Sequence, residues 1–356
     1  MTFLLHQFIH DSAKRTPDAP ALLFRQDTLS YRMLEKAVNQ VASGLRTLGI
    51  ERDQRVAIYL PKQFETVSAM FGTTAAGGVF VPVNPVLKPE QVGHILRDCS
   101  TRILITSPDR ARLLSDILAE CPDLNHVVLV GSGDAADAHD HGVPTRPWEQ
   151  MLGEPSPPVL KRIDCDMAAI LYTSGSTGRP KGVVLSHRNM MAGAQSVASY
   201  LNNQADDRLL AVLPFSFDYG LSQLTTAFSV GASVVLMDYL LPRDVIRAVA
   251  RYGVTGLAAV PPLWNQLADL PWPEEAVECL HYITNSGGAM PVNTTSQLKS
   301  ALPNTDVYLM YGLTEAFRST FLDPDQVDSR PESMGKAIPN AEIMVVRADG
   351  SECDVD

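Results

Sequence analysis

Leu171–Val183 reads LYTSGSTGRPKGV. An apolar run, Ala168–Tyr172, leads into it, and a helical pattern begins near His187. Thr173, Ser174, Ser176 and Thr177 bring hydroxyls, while Gly175, Gly178 and Gly182 let the backbone approach a polyanion and present N–H groups to it. Lys181 adds a cation within reach of phosphates. Hydroxyls, open amides and a cation are what gripping a nucleotide triphosphate requires. The order rules out a Walker loop, in which Gly-Lys-Ser/Thr follows a four-residue spacer. Here Pro180 precedes Lys181 and Gly182 follows it. Without a ligand the stretch would be a flexible Gly/Ser loop, but chance seldom sets these residue types in this order after a strand.

On both sides, short β-rich runs alternate with helical segments. Residues 28–49 carry apolar side chains at helical spacing. Val56–Leu60 reads as a strand, Gln63–Ala76 as a helix, Val79–Val83 as a strand and Pro89–Asp98 as a helix. Arg102–Thr106, a helix over Asp109–Ala119 and the strand Val127–Val130 continue the series. After the glycine-rich stretch come strands at Leu209–Leu213, Val234–Met237, Gly256–Val260, Tyr282–Thr284 and Val307–Met310. Glu342–Arg347 is the last strand-like piece. Near-continuous apolar strands alternating with helices predict mostly parallel sheets covered by helices. Residues 131–162 interrupt the pattern with Gly, Pro and Asp and read as an exposed connection, in which WEQML makes a single helical turn. His139 and His141 there, among Asp134, Asp137 and Asp140, form a solvated acidic loop rather than a metal site, since nothing would hold their geometry.

Bulk properties narrow the function. The chain has 356 residues, 45% of them hydrophobic, more than one ordinary domain and ample for a large core. Forty acidic against 29 basic residues give a formal charge of -11, with no basic cluster, which argues against nucleic acid as a partner. Five scattered cysteines without a C-x-x-C pair imply neither a disulfide framework nor a zinc site. The N-terminus lacks the basic start of a signal peptide. No apolar stretch reaches the roughly 18–20 residues that span a bilayer. A soluble protein in the reducing cytoplasm is expected.

The run Y-T-S-G-S-T-G-x-P-K-G resembles the signature loop of the acyl-adenylate-forming superfamily, which includes acyl-CoA synthetases, amino-acid adenylation domains of peptide synthetases and firefly luciferase. The resemblance extends over essentially the whole chain. It implies an α/β fold of two packed, mostly parallel sheet subdomains within residues 1–330, roughly 1–165 and 166–330. Residues 331–356 would begin a β-rich subdomain, through the similarity of Gly335–Glu342 to a G-x-P-x-P-G segment. Ala337 and Asn340 depart from the Pro and Gly of that pattern.

Carried over residue by residue, the resemblance places Thr173–Thr177, Gly178 and Lys181 at the β- and γ-phosphates of ATP. Gly287, Gly288 and Ala289, in NSGGA, are implied at adenine. In Tyr311-Gly312-Leu313-Thr314-Glu315 the ring would stack on adenine, with Gly312 beside it. Thr314 would contact the α-phosphate, and Glu315, with Thr177, would hold Mg²⁺. Lys181, Thr314 and Glu315 are the implied catalytic groups. Phe217, Asp218, Ser286 and Leu313 are implied at the acid. Asp218 is open to two readings: an N-cap of a helix starting near Tyr219, or the salt-link partner of an amino acid's ammonium.

The implied activity is ATP-dependent conversion of a carboxylic acid to its acyl-adenylate. Transfer to the thiol of coenzyme A, or to the phosphopantetheine arm of an acyl carrier protein, would follow. An acyl-CoA ligase is the leading reading and an amino-acid adenylation enzyme the alternative. A non-catalytic ATP- or AMP-binding module is the alternative from another class. In the family, a ribose-binding Asp and a mobile C-terminal domain with a second lysine follow the β-rich subdomain. This sequence ends at Asp356, before either. It is therefore expected to be the N-terminal core of a longer protein, impaired in turnover by itself.

Overall fold

The computed structural model describes residues 3–131, 142–155, 162–174 and 180–353. In chain order its strands are β1 (Pro20–Phe24), β2 (Asp27–Ser30), β3 (Arg55–Tyr59), β4 (Val79–Pro82), β5 (Thr101–Thr106), β6 (His126–Leu129), β7 (Thr145–Pro147), β8 (Met167–Ser174) and β9 (Pro180–Ser186). They continue as β10 (Arg208–Ala211), β11 (Ser233–Leu236), β12 (Gly256–Ala259), β13 (Tyr282–Asn285), β14 (Asp306–Tyr311), β15 (Thr320–Leu322) and β16 (Lys336–Ala337). One sheet runs β7-β6-β5-β3-β4-β8-β9 and the other β16-β15-β14-β13-β12-β10-β11-β1-β2. The central pairs are parallel; β1/β2, β8/β9, β14/β15 and β15/β16 are antiparallel. The architecture is mixed α/β with two mostly parallel sheets, as the alternation predicts.

Strand pleating sets the core. Successive residues of a strand face opposite sides of its sheet, so Val56 and Ile58 of β3 enter the larger core shared with the second sheet. Ala57 and Tyr59 face a second core against Val92, Ile95 and Leu96 of the helix Pro89–Asp98. Between the sheets the helices Tyr31–Thr47 and Phe64–Ala76 meet closely: a Cβ on Gly72 would lie 2.6 Å from Val41 Cγ1. Only a residue without a side chain permits that approach.

Several expectations are corrected. The sheets do not divide the chain near residue 165. Strands β8 and β9 complete the first sheet, and the unanticipated β1–β2 hairpin closes the edge of the second, β1 pairing with β11. Residues 28–30 are strand, and the helix starts at Tyr31 because Ser30 caps it, accepting from Met33 N. The segment over 109–119 breaks into two short helices around Leu114. The connection after residue 131 contributes an edge strand, β7, beside the expected turn at Trp148–Met151. His139, His141, Asp134, Asp137 and Asp140 lie outside the described residues. Glu342–Arg347 is not a strand; its one ladder contact is an isolated bridge, Val346 to Glu352. Asn340 stands where the resemblance has Gly and adopts φ 67°, the left-handed conformation asparagine tolerates better than most residues.

Candidate active site

The glycine-rich stretch does not open directly into a helix. It joins β8 to β9 as a hairpin, and the helix His187–Tyr200 begins only after β9, capped by Ser186, whose Oγ accepts from Asn189 N at 3.1 Å. Lys181 therefore lies on a strand, opposite Thr173. It is exposed and makes no ion pair among the described residues. Gly175, Ser176, Thr177 and Gly178 lie outside the described residues, as does the side chain of Ser174. Gly182 faces Tyr172 across the hairpin; a Cβ there would come 2.7 Å from Ile170 Cγ2 and 3.2 Å from Tyr172 Cζ. Its missing side chain makes room for that ring.

At the carboxyl end of β13, Asn285 Nδ2 donates to Gly288 O at 2.9 Å and closes a tight turn. Ser286 is buried beneath it. Gly287 has φ 78°, the left-handed region that glycine enters without strain. A Cβ on it would lie 3.3 Å from Val260 Cγ1 and 3.4 Å from Phe217 Cζ. Gly287, Gly288 and Ala289 line one side of a cleft of about 650 Å³; Tyr311, Gly312 and Leu313 line the other. Tyr311 ends β14 and is 41% exposed, open to a planar ligand.

The chain then turns sharply. Ser319 N returns to Tyr311 O at 3.0 Å, and Phe317 is held at φ 62° with its ring buried against Gly193. A bulky residue at positive φ is an outlier that its surroundings must enforce. Glu315 sits at the exposed tip and makes no ion pair among the described residues. Thr314 Oγ1 donates to Asp218 Oδ1 at 3.4 Å. Among the described residues no cluster of three or more His, Cys, Asp or Glu could cage a metal. Magnesium needs no cage, because it is held by one or two carboxylates together with phosphates and waters. A free carboxylate at Glu315 fits that donor set.

Asp218 is the first residue of the helix Asp218–Val230, and Phe217 occupies the N-cap position. The N-cap reading of Asp218 is thus corrected. Gly220 lets this first turn fold onto Pro214, whose carbonyl oxygen would lie 2.1 Å from a Cβ. Asp218 is buried and faces Arg318, only 3% exposed, whose Nη1 lies 3.3 Å from Oδ2. Arg318 Nη2 also donates to Ser222 Oγ at 3.2 Å, and its guanidinium lies 4.6 Å from the Tyr219 ring centroid. Burial pushes the Asp218 carboxyl up, and the guanidinium pulls it back only in part. The Tyr219 hydroxyl shares a 2.6 Å hydrogen bond with Thr284 Oγ1. A void of about 10 Å³ lies beside Tyr219, Thr284 and Arg318, and a cleft of about 420 Å³ opens beside Leu213–Ser216. Sequence reasoning missed Arg318; its signal was a lone cation inside Phe317–Leu322, FRSTFL, entering strand β15.

The model of the family described as AMP-binding enzyme matches residues 9–356. Bacitracin synthase 3 of Bacillus licheniformis is 27% identical over 344 residues, 96% of this chain but 5% of that protein. Indigoidine synthase of Dickeya dadantii (strain 3937) is 28% identical over 345 residues, 94% of this chain and 22% of that one. The chain thus spans a small part of the curated relatives it matches. VinN, solved in complex with L-aspartate, superposes with a TM-score of 0.82 at 28% identity, covering 96% of this chain and 84% of VinN.

Proposed function

Because this chain belongs to the family of AMP-binding enzymes, we propose that it activates a small carboxylic acid with ATP, forming an acyl-adenylate that a thiol then resolves. One observation carries the reading: Thr314, the residue after Leu313 of the cleft lined by Tyr311 and Gly287–Ala289, hydrogen-bonds Asp218. A single side chain therefore joins the nucleotide cleft to the acid end, as a reaction between two bound substrates requires.

The chemistry is positioning and charge neutralisation. A carboxylate oxygen of the acid attacks the α-phosphorus of ATP in line, the bond to the bridging oxygen breaks, and pyrophosphate leaves with the electron pair. Tyr311 stacks on adenine above the backbone of Gly287, Gly288 and Ala289, where side chains would block the base. Lys181, with Thr173 and Ser174–Gly178, holds the β- and γ-phosphates, and Thr314 orients the α-phosphate. Glu315, with Thr177, holds Mg²⁺, which supplies charge neutralisation at the phosphates when bound. In the second half-reaction a thiol attacks the adenylate carbonyl, forming a thioester and releasing AMP and a proton. That thiol is coenzyme A or the phosphopantetheine of a carrier protein. A cytoplasmic setting suits either acceptor, and no helix among the described residues is long and apolar enough to cross a membrane.

For the acid we favour a small amino acid over a plain fatty acid. Asp218 is buried in the first turn of its helix rather than spent on a cap, and while Arg318 engages its Oδ2, its Oδ1 accepts from Thr314. VinN, solved with L-aspartate bound, lends support. The test is pyrophosphate release across a panel of amino acids, their des-amino analogues, aryl acids and fatty acids. Wild type should turn over an amino acid, and Asp218→Asn, which leaves Arg318 an acceptor oxygen, should lose that turnover while staying folded by circular dichroism. Robust turnover of fatty acids, unchanged by the substitution, would overturn the amino-acid reading. ATP binding without pyrophosphate from any acid would favour a non-catalytic module.

A further inference from the structure

Strand β9, which carries Lys181, is poorly fixed by packing. It is an edge strand, paired only with β8, and of its residues only Leu185 is buried. Its first residue is Pro180, which has no N–H to give to the ladder. Beyond its ladder with β8, its anchors are polar.

The polar partners come from the helix Pro89–Asp98, on one face. His94 Nε2 donates to Pro180 O at 3.1 Å, on β9. Asp98 Oδ2 accepts from the Tyr172 hydroxyl at 2.5 Å, on β8. His94 and Asp98 are four residues apart and therefore neighbours on the helix surface. The rings of His94 and Tyr172 meet edge to face, 6.4 Å between centroids at 81°. Between its two ends the Tyr172 ring lies across Gly182, the residue after Lys181, where any Cβ would press on it. Burial and the neighbouring Asp98 push the phenol pKa far up, so Tyr172 remains a donor at every working pH.

We propose that Tyr172, Asp98 and His94 form a positioning clamp that fixes the hairpin and so places Lys181 for adenylation, and for adenylation alone. The proposal rests on the reading of Lys181 as a ligand of the β- and γ-phosphates. Pyrophosphate has left before the thiol arrives, so the second half-reaction has no use for the clamp. A hairpin that shifts by an ångström moves the cation off its phosphate, a displacement able to cost far more than the hydrogen bond itself.

The experiment compares wild type with Tyr172→Phe, Asp98→Ala and Asp98→Asn in the full protein. With MgATP and acid, the first two substitutions should slow pyrophosphate release on the order of 10²-fold and raise the KM for MgATP, as expected when a phosphate-holding cation is displaced by about an ångström. Asp98→Asn keeps an acceptor oxygen and should retain near wild-type rates. Thioester formation from added synthetic acyl-adenylate should be unchanged in all. Hydrogen exchange of residues 180–186 should quicken in Asp98→Ala and not in Asp98→Asn. Equal losses in both half-reactions, or no change in either, would overturn the clamp, as would exchange that is indifferent to Asp98. A wild type that makes no pyrophosphate from any acid yet resolves the acyl-adenylate would instead sink the adenylating reading, and the clamp's link to catalysis with it.

Discussion

Lys181 and Arg318 stand at opposite ends of the candidate site and are held in opposite ways. Lys181 lies exposed on an edge strand with no ion pair among the described residues. Arg318 is buried, engaged by Asp218 and Ser222 and laid over Tyr219. An exposed cation keeps its charge available for an incoming anion and costs the fold little. A buried one must be satisfied from within, because desolvation of each ion runs to several kcal/mol. The first cation remains available to an anion; the second is committed to partners within the fold.

The sharpest way to break that contrast is Arg318→Met. It leaves Asp218 buried without its cation, and the expected loss is about 3–5 kcal/mol of folding stability, read from the urea midpoint. Adding Asp218→Asn should restore part of it. A loss below about 1 kcal/mol, the scale of a surface ion pair, would mean that the pair is not the buried support described here.

Lys181→Ala should do the reverse. Stability should stay within about 0.5 kcal/mol, as for ordinary surface changes, while pyrophosphate release falls on the order of 10²-fold, the usual cost of removing one group aimed at transition-state charge. Glu315→Gln should behave alike. Normal rates in both would show that the hairpin and the turn do not act on the same phosphates.

A smaller effect concerns buried groups that avoid charge altogether. His6 lies under the N-terminal segment with neither ring nitrogen hydrogen-bonded, beside His187, whose Nδ1 accepts from Leu5 N at 3.1 Å. Burial pushes His6 down to about 3 and His187 to about 4. The neighbouring His187 and His10 lower His6 further; Asp166 partly opposes the fall at His187. Folded-state values below the unfolded 6.5 mean that both rings stabilise the fold fully above that pH and lose this contribution as pH falls from there toward 4. By pH 4.5 the loss should be on the order of 2 kcal/mol per histidine. His6→Phe, which keeps a ring but cannot take a proton, should flatten the acid limb of a stability profile measured from pH 7.5 to 4.5. An unchanged limb would place the acid sensitivity elsewhere.

Local chemistry was legible in the sequence. The helix Pro89–Asp98 has the bounds that its Pro at the start and its periodicity foretold, and β3, β4, β10 and β11 fall within a residue or two of their apolar runs. The Gly287 turn and the Tyr311–Glu315 turn stand after β13 and β14, where the residue types placed them, and they face one another across a single cleft. Each of these features is written in neighbouring residues: apolar spacing, a glycine for positive φ, a carboxylate beyond a strand. What only the tertiary structure decided is who partners whom. β1 finds β11, β9 closes onto β8 before any helix begins, Asp98 reaches Tyr172, and Arg318 comes back across the sheet to Asp218. Periodicity reports which face of an element seeks the core. It carries no record of which distant side chain will share that face, and burial alone turns an aspartate that looked like a helix cap into half of an ion pair.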